Sequence, residues 1–111
     1  MSLAAVVASV VLAAASAPSL HVSPSVVSPG ALVRVSGNAD GCPVGDTVLV
    51  LSRAFRGPEF AGVHYISARV RAGGAFSATG RIRRHARAGR YGATARCGGG
   101  NLGVLAHFRV R

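Results

Sequence analysis

Thirteen basic side chains, all of them arginine, stand against only three carboxylates, Asp40, Asp46 and Glu59, giving this 111-residue chain a formal charge of +10. Guanidinium forks match phosphate and carboxylate oxygens bidentately, which a lysine ammonium cannot do, so the chemistry such a surface offers is the capture of anions. A GC-rich genome favours arginine codons and accounts for the missing lysine. It does not account for the missing acids, and an imbalance of this size implies attraction to polyanions. The densest run is Arg81-Ile82-Arg83-Arg84-His85-Ala86-Arg87-Ala88-Gly89-Arg90. With Arg69 and Arg71 it gives an expected anion-binding set of Arg69, Arg71, Arg81, Arg83, Arg84, Arg87 and Arg90.

Other chemistries have less to stand on. His21, His64, His85 and His107 fall on four separate segments, and no serine sits in a G-x-S-x-G elbow. A nucleophile–base–acid set is therefore not expected, and the chain reads as a non-enzyme. Gly98-Gly99-Gly100-Asn101 lacks the Lys-Ser/Thr pair of a phosphate cradle and reads as a hairpin loop. Two cysteines without nearby histidine pairs make no zinc ligand set, so neither a metal nor a cofactor is expected. Cys42 and Cys97 allow one internal pairing, with free thiols or an intermolecular bridge as the alternatives. Closing a loop of about 55 residues would stabilise the fold by roughly 4 kcal/mol in the chain-entropy treatment.

The compartment is written at the amino terminus. Leu3 to Ala15 is an unbroken run of Leu, Ala, Val and one Ser, ending in small residues before Pro18. That pattern reads as a signal peptide over residues 1–17, cleaved after Ala15 or Ala17, although the n-region Met1-Ser2 carries no Lys or Arg. The run is too short for an ordinary membrane span. A secreted or cell-envelope location is expected, with no span left after cleavage and a disulfide-permissive environment.

Residues 18–111 must then form one small domain. No segment holds a helical period, whereas alternation of period two recurs throughout. Strands are expected at Leu20–Val22, Ala31–Ser36, Val48–Leu51, Phe60–Arg71, Phe76–Arg83, Tyr91–Cys97 and Val104–Val110. Val48–Leu51, apolar on both faces, suits the middle of a sheet. There is no tryptophan, so the core falls to Val, Ala, Leu and Ile with Phe60, Phe76, Phe108 and Tyr91 as bulky members. Gly73-Gly74 predicts a hairpin, and a three-residue loop at Ala72-Gly73-Gly74 pairs Val70 with Phe76, Ala68 with Ala78 and Ile66 with Gly80. In that register Arg69, Arg71, Arg81 and Arg83 share one solvent face.

Ser23-Pro24-Ser25-Val26-Val27-Ser28-Pro29-Gly30, Val33-Arg34-Val35-Ser36-Gly37 and Gly41-Cys42-Pro43-Val44-Gly45-Asp46-Thr47-Val48 resemble the opening half of immunoglobulin-like domains. The relevant domains belong to secreted and cell-surface proteins of high-GC Gram-positive bacteria. Gly74–Ala78 and Ala88–Cys97 are similar to the closing half. The resemblance implies an all-β, immunoglobulin-like antiparallel β-sandwich of about seven strands, with Tyr91 at the start of the penultimate strand as in a tyrosine corner. It also implies that Cys42 and Cys97 lie at one end of the sandwich, where a disulfide can form. Such motifs specify a fold far better than a function.

The expected function is a non-catalytic binding domain held on anionic envelope polymers by its arginines. The alternative is a structural or protein-interaction domain whose partner is another protein and whose arginine content is compositional. Nucleic acid is not expected as partner, because export removes the chain from the chromosome and no aromatic stacking platform accompanies the arginines.

Overall fold

The computed structural model describes residues 17–111, so all but the last residue of the expected leader lies outside the described residues. The described chain is an all-β sandwich of two sheets. In chain order the strands are β1 (Ser19–Ser23), β2 (Val26–Val27), β3 (Leu32–Asn38), β4 (Thr47–Leu51) and β5 (Phe55–Arg56). There follow β6 (Glu59–Phe60), β7 (Val63–Arg69), β8 (Ala75–Ile82), β9 (Gly89–Cys97) and β10 (Gly100–Val110). The small sheet runs β1-β3-β8-β5 and the large sheet β2-β10-β9-β4-β7-β6. All seven expected strands are present, and three two-residue strands join them. One of these, β2, pairs parallel to β10, against the expectation of a wholly antiparallel fold. The chain leaves the small sheet after β1 and, beyond Pro24, sets β2 against the β10 edge of the other sheet.

Alternation along each strand builds the core between the sheets. Val33 and Val35 of β3, with Phe76 and Ile82 of β8, point inward from the small sheet. Val48 and Val50 of β4, Ile66 and Ala68 of β7, and Ala93 and Ala95 of β9 answer from the large one. β4 lies between β9 and β7, as its two-sided apolar sequence requires.

The expected β7–β8 hairpin is not a hairpin. Its turn forms, with Gly73 and Gly74 both at positive φ, 80° and 86°, and the Arg71 amide donates to the Ala75 carbonyl at 2.8 Å. Beyond the turn the strands part into different sheets: β7 pairs with β4, and β8 with β3. The apolar partners nonetheless meet. Gly80 lies so close beneath Ile66 that a Cβ there would collide with the isoleucine side chain, but the approach is across the sandwich rather than along one sheet. Both arrangements put the same residues on the apolar side, so alternation cannot tell them apart.

Phe60, assigned to the core from sequence, is 39% exposed, whereas Phe55, which falls in none of the expected strands, is wholly buried. Phe55 stacks on Phe108 at 5.7 Å between centroids, and Tyr91 stacks on Phe108 at 5.9 Å, so the core centres on an aromatic trio.

Two ties close the ends. Cys42, in the β3–β4 crossover, is bonded to Cys97 at the end of β9, with Cα atoms 6.2 Å apart. At the opposite end of β9, the Tyr91 hydroxyl donates to the Arg87 carbonyl at 2.7 Å. Tyr91→Phe is expected to cost about 1 kcal/mol, the usual net worth of one hydrogen bond, measured by urea unfolding with the m-value unchanged.

Candidate functional site

Strand parity decides where each guanidinium goes. On the small sheet the inward residues of β8 are Phe76, Ala78, Gly80 and Ile82, so Ser77, Thr79 and Arg81 face out. Arg34 of β3 stands opposite Thr79, and Arg56 of β5 stands opposite Arg81. Arg71 joins this face from the turn, its Nη1 donating to Ser77 Oγ at 3.2 Å. Arg81 Nη1 donates to the Gly30 carbonyl at 3.1 Å, which draws it toward the β2–β3 turn. Arg56, Arg81 and Arg84 line one cleft of about 390 Å³ beside Gly30.

The Arg56–Arg81 register is costly by itself. Like charges directly opposite on antiparallel strands destabilise the pair. No carboxylate relieves it: among the described residues, the one side-chain ion contact is His64 Nε2 to Glu59 Oε1 at 3.4 Å, and no arginine pairs with an acid.

The outer face of the large sheet carries a second group, with Arg69 on β7, Arg90 and Arg96 on β9, and Arg109 on β10. Arg90 and Arg109 are again directly opposite one another. The two-residue β6 strand and the start of β7 form a hairpin, with Phe60 opposite Val63, and fold over this face. Its turn residues Ala61 and Gly62 both have positive φ, 50° and 81°, the backbone signature of a tight turn matched to strand twist. His64 Nδ1 donates to the Gly57 carbonyl at 2.6 Å while Nε2 faces Glu59, so the imidazole on β7 reaches across to the segment that precedes the turn. Phe60 thereby sits against the Arg96 guanidinium, 5.3 Å from ring centroid to Cζ. Between hairpin and sheet lies a groove of about 610 Å³. Its apolar lining includes Leu51, Phe60, Val63 and Leu105, and Arg53, Arg90 and Arg96 bound it.

The seven arginines singled out from sequence are therefore divided. Arg71, Arg81 and Arg84 belong to the small-sheet side, and Arg69 and Arg90 to the outer face of the large sheet. Arg83 turns its Nη1 to the Arg53 carbonyl at 2.9 Å, and Arg87 is exposed at the corner before β9. The division follows from the parting of β7 and β8, which sends the outward residues of the two strands to opposite surfaces. Sequence reasoning missed Arg34 and Arg56 as neighbours of Arg81, and Arg53 and Arg96 as boundaries of a groove. Only the Arg34 alternation with Val33 and Val35 carried any signal.

The remaining candidates fall apart in space or are already committed. His21, His64, His85 and His107 lie on β1, β7, the β8–β9 turn and β10. Cys42, Cys97 and Asp46 bring three potential metal-ligating atoms within 4.8 Å of one another, but both sulfurs are spent in the disulfide.

No protein-family profile matches the chain, and no curated protein is similar to it in sequence. Among solved structures it is similar to the alkylpurine DNA glycosylase AlkC of Pseudomonas fluorescens, solved bound to DNA containing an abasic site analogue. The match has a TM-score of 0.56 at 20% identity, over 83% of this chain and 29% of that one. The chain thus spans under a third of the glycosylase, and the likeness is one of fold. An uncharacterized protein from Bacillus anthracis str. Ames is similar at 15% identity with a TM-score of 0.39, over 78% of this chain and 76% of that one. Among the described residues no helix is long and apolar enough to cross a membrane.

Proposed function

We propose that the chain is an exported immunoglobulin-like domain that binds anionic envelope polymers without catalysis, through the arginines of its small-sheet face. The observation that carries this reading is the cleft of Arg56, Arg81 and Arg84, in which two guanidiniums directly opposed across β5 and β8 have no carboxylate partner. A phosphate or carboxylate group placed between them relieves their mutual repulsion and accepts bidentate hydrogen bonds. Arg34 and Arg71 extend the charge along the same face, which suits a polymer better than a single small ion. The immunoglobulin-like assignment is supported by the division of the first strand between sheets and by the Tyr91–Arg87 hydrogen bond, the geometry of a tyrosine corner. Export is supported by the apolar leader sequence and by the disulfide, a bond at home in oxidising compartments.

A second reading, in which the domain binds another protein and its arginine content is compositional, is favoured by the presence of arginines on both outer faces. Elution from an immobilised heparin column separates the two. The Arg56→Gln/Arg81→Gln/Arg84→Gln variant is expected to elute at clearly lower salt than wild type, and Arg69→Gln/Arg109→Gln at nearly the wild-type position. Exposed charges interact over a screening length of about 10 Å at 0.1 M salt, so only clustered arginines hold a chain cooperatively. Equal elution of both variants and wild type would establish the compositional reading. Duplex DNA belongs in the same assay, because the glycosylase of similar fold was solved on DNA. Preference for DNA over heparin at matched salt would replace the envelope polymer as ligand.

A further inference from the structure

The groove on the opposite face is built differently from the small-sheet cleft and asks for a different ligand. We propose that it binds a small amphipathic anion, an apolar body ending in one carboxylate, sulfonate or phosphate, and that this site is separate from the polymer-binding face. Its volume of about 610 Å³ lies within the range of small-molecule sites, about 300–1,000 Å³. Its lining pairs an apolar surface with fixed cations. Phe60 is 39% exposed and Leu105 61% exposed, and both border the groove, so two of the larger uncovered apolar side chains of the protein face a common space.

The charge in the groove is positioned and lacks acid partners. Arg96 is fixed by Phe60 against its guanidinium and by a hydrogen bond from Nη2 to the Gly99 carbonyl at 2.6 Å. Its Nε is shielded from solvent and finds no acceptor in the protein, an uncommitted donor of the sort that native interiors rarely leave. Arg90, directly opposite Arg109, brings a second cation to the same groove. Glu59, on the hairpin, is turned to His64 rather than to either arginine. An anionic head against the exposed Arg90 guanidinium and beside Arg96, with its apolar body along Phe60 and Leu105, would pair the cations and cover the apolar surface together. A purely apolar ligand leaves the cations unpaired, and a purely ionic one leaves Phe60 and Leu105 wet.

Gly92 supplies the means to close the groove without touching an arginine. It lies on the lining in ordinary strand conformation, and an added Cβ there would come 3.2 Å from Leu105 Cδ1, the movable end of a side chain. The full-length oxidised chain is titrated with anilinonaphthalenesulfonate and followed by fluorescence. Saturation at one site per chain is expected. Arg90→Gln should weaken binding about tenfold, the loss of one charge-assisted contact. Gly92→Phe should abolish it, while Arg34→Gln on the far face leaves it unchanged. Decanoate and biphenylcarboxylate as competitors distinguish an acyl from an aryl ligand, and displacement by either supports the shared chemistry. Equal binding of the uncharged anilinonaphthalene overturns the proposal, and so does wild-type affinity in both the Arg90 and the Gly92 variant. Should Gly92→Phe fail to fold, wild-type affinity in Arg90→Gln alone overturns it. Loss of heparin retention in the small-sheet variant with dye binding intact would confirm that the two sites are independent.

Discussion

Phe55→Ala is expected to lower the unfolding free energy by about 3–5 kcal/mol, the range for deleting a buried phenylalanine, and Phe60→Ala by less than about 1 kcal/mol. The first removes a ring with no exposed surface from the stack on Phe108, which is itself stacked on Tyr91. The loss therefore includes transfer, cavity and aromatic-pair contributions. Phe60 touches the Arg96 guanidinium from a two-residue strand on the outside of the large sheet, and its removal leaves no cavity in the core. Urea unfolding of the two variants at equal ionic strength decides the matter. If Phe60→Ala proves as damaging as Phe55→Ala, the aromatic core is misassigned.

Removal of the Cys42–Cys97 bond, as Cys42→Ser/Cys97→Ser or by reductant, should cost about 4 kcal/mol in the chain-entropy treatment for its sequence separation of 55. For a domain of this size that is a fall in melting temperature on the order of 20 °C. It should also remove a large part of the total stability, which for small domains is about 5–15 kcal/mol. The bond ties the crossover between the two sheets to the end of β9, a strand in the middle of the large sheet. Its loss should therefore loosen that end first, with amide exchange accelerating around residues 39–46 before it does at the Tyr91 corner. A melting temperature unchanged by reductant, with both thiols then alkylated, would show that the core suffices without the bridge.

The contrast between Phe55 and Phe60 shows where the sequence is a poor guide. Phe55 lies in a short stretch broken by Gly57-Pro58, with no run long enough for alternation to register, and Phe60 falls in phase with Ile66 and Ala68 only if the strand runs unbroken through Ala61-Gly62, where the chain in fact turns. A two-residue strand has no period, so its inward member is chosen by the partner strand. Phe55 is inward because β5 docks on β8, with Phe55 opposite the buried Ile82. Phe60 is outward because the β6–β7 turn folds it back over the large sheet. The groove it walls was illegible for the same reason: Phe60, Arg96 and Leu105 meet only through that fold-back.

By itself the sequence determined the all-β class, the seven longer strands, the inward faces of β7 and β8, the central place of β4 and the one possible internal cysteine pair. Each of these is a local property, read from a period of two, from turn residues or from simple counting. Only the tertiary structure decided which strands are neighbours. The apolar faces of β7 and β8 are satisfied equally by lying side by side in one sheet or by facing each other across the core, because both bury the same side chains. β4 and β3 offered the backbone partners that drew the two strands apart. That choice set the arginines of β7 and β8 on opposite surfaces, in two separate groups rather than on the single face that pairing β7 with β8 would give.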